Sequence, residues 1–206
     1  LNAEASFNAM SFCGVNNVLQ LQDISTGGTI VTRTWSVMGP GSFTPYTGNG
    51  ATANVTLTEI GLYTVTLVVC DAAMNCNTQV YSNLVSVLVK PEATINITSL
   101  CVNKNNMFTA DIVPATLAMD SFKWYFGETG GNINGTTKQQ TYSFNSSGGK
   151  TVEVIVKATN GCRDTATRNI LILDVPNAVI TASDTFVCVG TSVNFSGLNS
   201  TANTPT

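Results

Sequence analysis

The sequence predicts an all-β protein made of β-sandwich domains in tandem. Its polar residues are mainly Thr and Asn, and because Thr, Val and Ile favour strands while Asn and Gly favour turns, the composition suits sheets joined by tight loops. Apolar residues recur with a period of two, which is typical of strands with one buried face. The chain also repeats itself at an interval close to 87 residues, about the length of a sandwich domain.

The repeat is carried by three aligned segments, which start at positions 4, 92 and 177. They read EASFNAMSFCGVNNVLQLQDIS, EATINITSLCVNKNNMFTADIV and NAVITASDTFVCVGTSVNFSGLN. Each segment contains one cysteine, and these are spaced 88 and 87 residues apart: Cys13, Cys101 and Cys188. The repetition therefore extends over the whole chain.

Two prolines mark the junctions between repeats, Pro91 and Pro176, and each follows an apolar strand. We therefore predict one sandwich over residues 1–90, a second over residues 91–175, and the N-terminal part of a third over residues 176–206. The tryptophan of a third repeat would fall near position 210, so we expect the chain to be part of a longer array.

Alternation is clearest in one strand of each of the first two repeats. The apolar positions of these strands are Tyr63, Val65, Leu67 and Val69 in the first, and Val152, Val154 and Val156 in the second. We expect these side chains to form one face of each core, and the residues between them to face mostly water.

The charge pattern argues against several classes of function. Charged residues are 10% of the chain, against about 25% in an average domain. The net charge is −3 and the basic residues are scattered, so a nucleic-acid surface is not expected. No apolar run is long enough for a bilayer. The chain has no His, and no two carboxylates share a catalytic motif, so we predict neither an enzyme nor a cofactor.

Three motifs resemble a known family. They are WYFGETG, with Trp124, Phe126, Gly127, Glu128 and Gly130, then GLYTVTLVV from Gly61, and NGC at residues 160–162. Together they resemble the PKD (polycystic kidney disease) domain, in particular the cysteine-bearing tandem form in secreted adhesins and gliding-associated surface proteins of the Bacteroidota. The resemblance implies immunoglobulin-like sandwiches that act outside the cell as spacers or adhesive modules.

The cysteines predict a disulfide in each complete repeat. Alignment pairs Cys13 with Cys76 and Cys101 with Cys162, closing loops of about 60 residues that would contribute roughly 4 kcal/mol each. Such bonds persist in oxidising compartments, so this pattern also favours an extracellular location.

Two cysteines remain uncertain at this level. Cys70 could be a free thiol, could bond Cys76 and free Cys13, or could bond Cys13 and free Cys76. The partner that alignment would assign to Cys188 falls beyond residue 206.

The aligned tryptophans Trp35 and Trp124 are expected in the core, packed over the disulfide as in immunoglobulin-like domains. Asp174 and Asp184 could approach each other near a domain junction and bind calcium through their carboxylate oxygens. The corresponding junction at Lys90 carries a lysine where an acid is wanted, so a repeated calcium site is not expected.

The sequence therefore predicts a non-enzymatic, disulfide-stiffened spacer or polymerising module of a large extracellular protein. Its expected partners are neighbouring repeats, a homopolymeric filament or a surface polysaccharide. One alternative is a carbohydrate- or protein-binding module that uses Tyr125 and Tyr142, and another is an ancillary domain of a secreted hydrolase. WYFGETGG is read as a core strand that ends in a glycine turn, because no helix follows it to complete a phosphate loop.

Overall fold

In the computed structural model, which describes residues 1–41, 44 and 46–197, every regular element of the described chain is a β-strand. The fold is a tandem of β-sandwiches, as the sequence predicts. Contacts divide the chain into two compact units, one of Leu1–Pro91 with Lys157–Arg163 and the other of Glu92–Val156 with Asp164–Thr206. The first unit thus includes a short segment from the second repeat.

The first unit is a sandwich of a three-stranded and a five-stranded sheet. Its strands are β1 (Ala5–Phe7), β2 (Ser11–Cys13), β3 (Asn17–Asp23), β4 (Thr32–Met38), β5 (Tyr46–Gly48), β6 (Thr52–Leu57), β7 (Gly61–Cys70) and β8 (Cys76–Leu88). The strand orders are β1-β3-β6 and β2-β8-β7-β4-β5. Neighbouring strands are antiparallel, except that β2 runs parallel to β8.

Alternation along β7 builds the core of the first unit, because successive side chains point to opposite faces of a sheet. All four apolar residues predicted from the sequence are fully buried: Tyr63, Val65, Leu67 and Val69. Trp35 on β4 lies opposite Leu67 and is also fully buried. The hydroxyl of Tyr63 donates to the carbonyl oxygen of Glu59 (2.7 Å), so a buried polar group is satisfied in a tyrosine corner.

The second unit repeats this topology. Its strands are β9 (Glu92–Ile97), β10 (Asn106–Val113), β11 (Met119–Tyr125), β12 (Asn132–Gly135), β13 (Gln139–Tyr142), β14 (Gly148–Ala158) and β15 (Arg163–Ile172). They form sheets in the orders β9-β10-β13 and β12-β11-β14-β15, which correspond to β1-β3-β6 and β5-β4-β7-β8 of the first unit. An isolated parallel bridge between Cys101 and Leu173 takes the place of the β2–β8 pairing.

Aromatic rings dominate the core of the second unit. The ring of Phe108, on β10, has its centroid 6.2 Å from that of Trp124, 4.9 Å from that of Phe126 and 6.1 Å from that of Phe144. All four rings are buried. The valines predicted on β14 are fully buried as well: Val152, Val154 and Val156.

Only a hairpin of the predicted third repeat is described, since residues 198–206 lie outside the described residues. β16 (Thr181–Ala182) pairs antiparallel with β17 (Phe195–Ser196). Phe195 aligns with Phe108, yet 69% of its surface is exposed, whereas Phe108 is fully buried. The described part of this repeat therefore has strands but no closed core. The repeat boundaries near residues 90 and 175 stay predictions.

Candidate functional site at the strand-end cysteines

Cys13 lies at the end of β2, in parallel register with Leu88 at the end of β8. The next residue, Gly14, donates its N–H to the Leu88 carbonyl oxygen (2.8 Å). The side-chain amide of Asn17 donates to the carbonyl oxygen of Cys13 (3.2 Å). These bonds fix the backbone of an exposed cysteine at one end of the longest strand of the first unit.

Cys162 bonds to Cys13 in this structure, with 5.6 Å between their Cα atoms. Cys162 lies in the turn between β14 and β15, where Gly161 has a φ of 92° and the Asn160 carboxamide oxygen accepts from the Cys162 N–H (3.0 Å). The Asn160 amide also donates to the carbonyl oxygen of Val89 (2.8 Å). A covalent bond thus attaches this turn to the end of β2, and a hydrogen bond attaches it to the residue after β8.

The predicted pairing of Cys13 with Cys76 is wrong, and the reason is strand geometry. Cys13 lies beside Leu88 at the end of β8, whereas Cys76 is the first residue of that strand. At about 3.3 Å per residue, the two cysteines are roughly 40 Å apart along the strand. A disulfide requires Cα atoms within about 7 Å of each other.

The predicted pairing of Cys101 with Cys162 is wrong for the same reason. Cys101 bridges Leu173, just past the end of β15, whereas Cys162 precedes the first residue of that strand. Alignment places equivalent cysteines correctly within their repeats, but it does not show that they lie at opposite ends of one strand.

Cys70 bonds Cys76 across the β7–β8 hairpin, where the two residues are register partners with Cα atoms 4.1 Å apart. This pairing is one of the three possibilities that the sequence allows for Cys70, but Cys13 is bonded to Cys162 and not free. The turn is held by Asp71, whose carboxylate accepts from the backbone N–H groups of Ala73 and Asn75 (both 2.9 Å). Hydrogen bonds from the side chain and backbone of Asn75 lower the pKa of Asp71 below its ordinary value.

The two disulfides differ in the length of chain that they close. Cys13 and Cys162 are 149 residues apart, and Cys70 and Cys76 only 6. The chain-entropy model gives about 5 kcal/mol for the long loop and about 2 kcal/mol for the short one. The long bond is therefore the larger contribution to stability.

Cys101 and Cys188 are the free cysteines of the described chain. Cys101 is half-buried and sits in a backbone setting like that of Cys13, while Cys188 is exposed. In the second unit Val102 donates its N–H to the Leu173 carbonyl oxygen (2.9 Å), as Gly14 does to Leu88 in the first. The buried side chain of Asn106 donates to the Cys101 carbonyl oxygen (3.1 Å), the role that Asn17 has at Cys13.

The WYFGETGG stretch is a strand and a tight turn, as predicted. Trp124 and Phe126 are buried on one face. The N–H of Phe126 donates to the Gly131 carbonyl oxygen (3.0 Å). Gly127 is required for two reasons: its φ is 69°, and an added Cβ would lie 2.8 Å from the Thr151 carbonyl oxygen.

Glu128, the acid of this turn, belongs to a polar cluster and not to an open site. Its carboxylate lies 2.8 Å from the Lys150 ammonium, and both side chains are largely buried. Tyr142 and Ser146 donate their hydroxyl protons to the same carboxylate (3.3 and 3.4 Å). Burial alone would raise the pKa of Glu128, but the hydrogen bonds and charge of Lys150 outweigh it and hold the pKa below its ordinary value.

We expect the second unit to lose stability in acid through this cluster. Because the folded pKa of Glu128 lies below its ordinary value of 4.5, the stabilisation is complete above that value and is lost as the pH falls through the lower folded pKa. Replacing Glu128 with Gln should cost about 1–3 kcal/mol near neutral pH and flatten the acid limb of stability. Urea unfolding followed from pH 7 to pH 3 measures both effects.

Glu153→Gln is the matched control, since Glu153 lies on the water-facing side of β14. It removes one carboxylate outside the Glu128 cluster and should leave the urea midpoint at neutral pH unchanged. An equal flattening in the two variants would mean that the acid sensitivity does not come from the Glu128 cluster.

Trp35 and Trp124 are buried core residues, as predicted, but the disulfides expected beneath them are not formed. The Trp35 indole N–H donates to the Gly50 carbonyl oxygen (3.0 Å). That of Trp124 is buried and has no hydrogen-bond partner among the described residues. The two tryptophans therefore occupy equivalent positions in their repeats, but only the indole N–H of Trp35 has a hydrogen-bond partner among the described residues.

The tyrosines considered for carbohydrate binding are not brought together. The ring of Tyr142 stacks on Phe126 with centroids 4.2 Å apart, at the edge of the second core. Tyr125 is the neighbour of Trp124 on β11 and points to the opposite face of the sheet. The two rings therefore do not form a shared platform.

The two acids considered for calcium have separate contacts. Asp174 accepts a hydrogen bond from the Ser147 hydroxyl (3.0 Å), and Asp184 accepts from the backbone N–H of Thr185 (2.9 Å). Among the described residues, no group of three or more Cys, Asp or Glu side chains could hold a metal ion. The described chain also has no helix long and apolar enough to cross a membrane.

Comparison with known proteins finds a matching family model for part of the first unit. Residues 2–81 match the family model described as the PKD domain. The match lies within the first unit, whose β-sandwich is thus similar to a PKD-type, immunoglobulin-like domain. No curated protein matches the chain.

Solved structures with a similar arrangement include the PKD1 domain of Vibrio anguillarum Epp, with 19% identity and a TM-score of 0.35 over 40% of this chain and 93% of that one. The fibronectin(III)-like modules of Clostridium thermocellum CbhA have 13% identity and a TM-score of 0.42, over 83% of this chain and 95% of that one. A 1.5-MDa bacterial ice-binding adhesin has 12% identity and a TM-score of 0.38, over 89% of this chain and 69% of that one.

The bond between Cys13 and Cys162 is the feature that sequence reasoning missed. A signal for it was present in Cys70, which lies six residues before Cys76 around a turn motif and so provides a local partner for Cys76. Once those two are paired, no cysteine of the first repeat is left for Cys13, and a bonded Cys13 must have its partner in another repeat.

Proposed function

We propose, starting from the PKD-type module at residues 2–81, that this chain is a non-enzymatic repeat region of a large extracellular protein. In that protein it acts as a spacer or polymerising module at the cell surface or in a filament. Its partners are neighbouring sandwiches of the same kind. The observation that carries the proposal is the disulfide between Cys13 and Cys162.

The disulfides support an extracellular location because such bonds persist in oxidising compartments and are rare in the cytosol. Four of the six cysteines are bonded, and the long bond closes a loop of 149 residues. In a reducing compartment this contribution to stability would be absent.

The acidic residues with shifted pKa values support a structural role. Burial would raise the pKa of Asp23, but hydrogen bonds from Ser25 and the guanidinium of Arg33, 2.5 Å away, lower it. The pKa of Glu128 is also lowered, by Lys150 in particular. A general acid at neutral pH needs a raised pKa, so these carboxylates suit ion pairs that hold loops and not proton transfer.

The test measures where the natural protein resides and whether Cys13 and Cys162 are oxidised in it. Intact cells of the producing organism would be treated with a protease and then probed with an antibody against residues 1–197. We expect the epitope to be removed from intact cells, and peptide mapping without reductant to recover Cys13 bonded to Cys162.

Two results would overturn the proposal. One is an epitope protected until the cells are broken, and the other is a pool of the protein with Cys13 and Cys162 both reduced. A known cytosolic protein, which must resist the protease in the same samples, controls for cell breakage.

A further inference from the structure

Cys101 is the second copy of a backbone arrangement whose first copy, at Cys13, holds a hairpin covalently. Each cysteine is in parallel register with the residue at the end of the last long strand, Leu88 or Leu173. The residue after each cysteine donates its N–H to that residue's carbonyl oxygen, at 2.8 and 2.9 Å.

The turns that follow differ in spacing, since Asn16 is three residues after Cys13 and Asn103 is two residues after Cys101, but they have one feature in common. Asn16 and Asn103 both have a positive φ, 64° and 52°. Their N–H groups donate to the carbonyl oxygens of Leu57 (2.7 Å), the last residue of β6, and of Phe144 (2.9 Å), two residues past the end of β13. The strand-end hydrogen bonds that hold Cys13 are thus repeated at Cys101, where the thiol is free, although the turns that follow the two cysteines differ in conformation.

The turn at residues 157–163 shows what kind of segment bonds to Cys13. It supplies a cysteine at Cys162, a left-handed glycine at Gly161, and the Asn160 amide that donates to the Val89 carbonyl oxygen (2.8 Å). Val89 follows Leu88, so its counterpart in the second unit is Asp174, which follows Leu173. An Asn-Gly-Cys turn at Cys101 would meet the same two groups: a cysteine sulfur to bond covalently and a strand-end carbonyl oxygen to accept the Asn amide hydrogen bond.

We propose that Cys101 is a covalent docking site for the Asn-Gly-Cys hairpin turn of another sandwich. By this rule, the strand-end cysteine of one repeat bonds the hairpin cysteine of another, as Cys13 does with Cys162. Cys76 takes no part, because Cys70 is its partner. The β7–β8 hairpin therefore has no free cysteine with which to bond the strand-end cysteine of another repeat.

The chemistry is thiol–disulfide exchange. The Cys101 thiolate attacks a sulfur of a disulfide oxidant such as oxidised glutathione, whose S–S bond breaks as one glutathione thiolate leaves. The hairpin thiolate then attacks the Cys101 sulfur and the second glutathione thiolate leaves. Two protein thiols lose two protons and two electrons, and one glutathione disulfide is reduced to two thiols.

The test uses the 206-residue protein and a synthetic hairpin peptide of residues 156–164, VKATNGCRD, activated as its 2-pyridyl disulfide. Attack by Cys101 on the peptide sulfur releases pyridine-2-thione, which is followed by absorbance, and peptide mapping locates the adduct. The matched probe is VKATAGCRD, which lacks the Asn amide. Cys188→Ala and Cys101→Ala variants isolate the reaction of each thiol.

We expect Cys101 to react about threefold to tenfold faster with VKATNGCRD than with VKATAGCRD, the size expected for one hydrogen bond. Cys188 is exposed and should react equally with both probes. Equal rates at Cys101, or the same preference at both cysteines, would overturn the proposal. Because the reaction is carried out in vitro, this result is independent of where the natural protein resides.

Peptide mapping of the full natural protein without reductant then identifies the source of the hairpin. Cys101 linked to a hairpin cysteine in a species that runs as a monomer identifies another repeat of the same chain. The same linkage in a dimer or larger species identifies a second chain. Cys101 recovered as a free thiol from the secreted protein, or bonded to a cysteine outside a hairpin turn, would overturn the proposal.

Discussion

Replacing Cys13 with Ser should lower the free energy of unfolding by about 2–5 kcal/mol, a larger loss than opening the disulfide between Cys70 and Cys76. Cys13 is exposed, so the substitution removes the bond to Cys162 with little change in packing. The effect is large because the bond restrains 149 residues of the unfolded chain. Urea unfolding without reductant measures it.

Three control variants test whether the bond itself is responsible. Cys101→Ser removes a free thiol and should leave stability unchanged. Cys70→Ser opens a loop of only six residues and should cost about 2 kcal/mol. Combining Cys13→Ser with Cys162→Ser should cost little more than Cys13→Ser alone, because both remove one bond. If the two losses added, the cysteines would be acting separately and the bond would be contradicted.

Truncating Phe108 to Ala should destabilise the second unit by about 3–5 kcal/mol. Its fully buried ring lies within 6.2 Å, centroid to centroid, of the rings of Trp124, Phe126 and Phe144, so truncation leaves a cavity at the centre of that core. Urea unfolding, followed by tryptophan fluorescence in a Trp35→Phe background so that Trp124 reports alone, measures the loss.

Phe195 provides an unusually close control, because it occupies the aligned position of the third repeat and is 69% exposed. Phe195→Ala should change the midpoint by less than about 0.5 kcal/mol, as is usual for surface substitutions. A comparable loss at both positions would mean that Phe195 is buried in solution. A small loss at Phe108 would contradict its place in the core.

The strands and their buried faces could be predicted from the sequence because a period of two is a local property. Val152, Val154 and Val156 are buried wherever β14 is placed in a sheet, provided that one face is covered. The glycine turn after Trp124 is local as well, since Gly127 must have a positive φ there. For these elements the residues themselves carry the information.

The cysteine pairing could not be predicted in the same way, because it depends on which strand end each cysteine occupies. Alignment places Cys13 and Cys76 in one repeat, but β8 separates them by its full length of 13 residues. The parallel course of β2 beside β8 decides which end Cys13 reaches. That is a property of topology, and no short stretch of sequence states it.

The polar contacts of the candidate site were also beyond a local reading. Asn106 is a fully buried polar residue of the second unit, and its side-chain amide donates to the backbone carbonyl oxygens of Cys101 and Lys104. In the sequence it is one Asn in the run NKNN. Its burial follows from the position of β10 between β9 and β13, which only the assembled sheet shows.

The bond between Cys13 and Cys162 also determines how the chain would respond to tension. A pull on its two ends would pass through the sulfur atoms and bypass the 149 residues between them. At about 3.5 Å per extended residue, roughly 500 Å of length would be withheld from extension while the bond is intact. Reduction would release that length, so the redox state of one cysteine pair would set the extensibility of the whole segment.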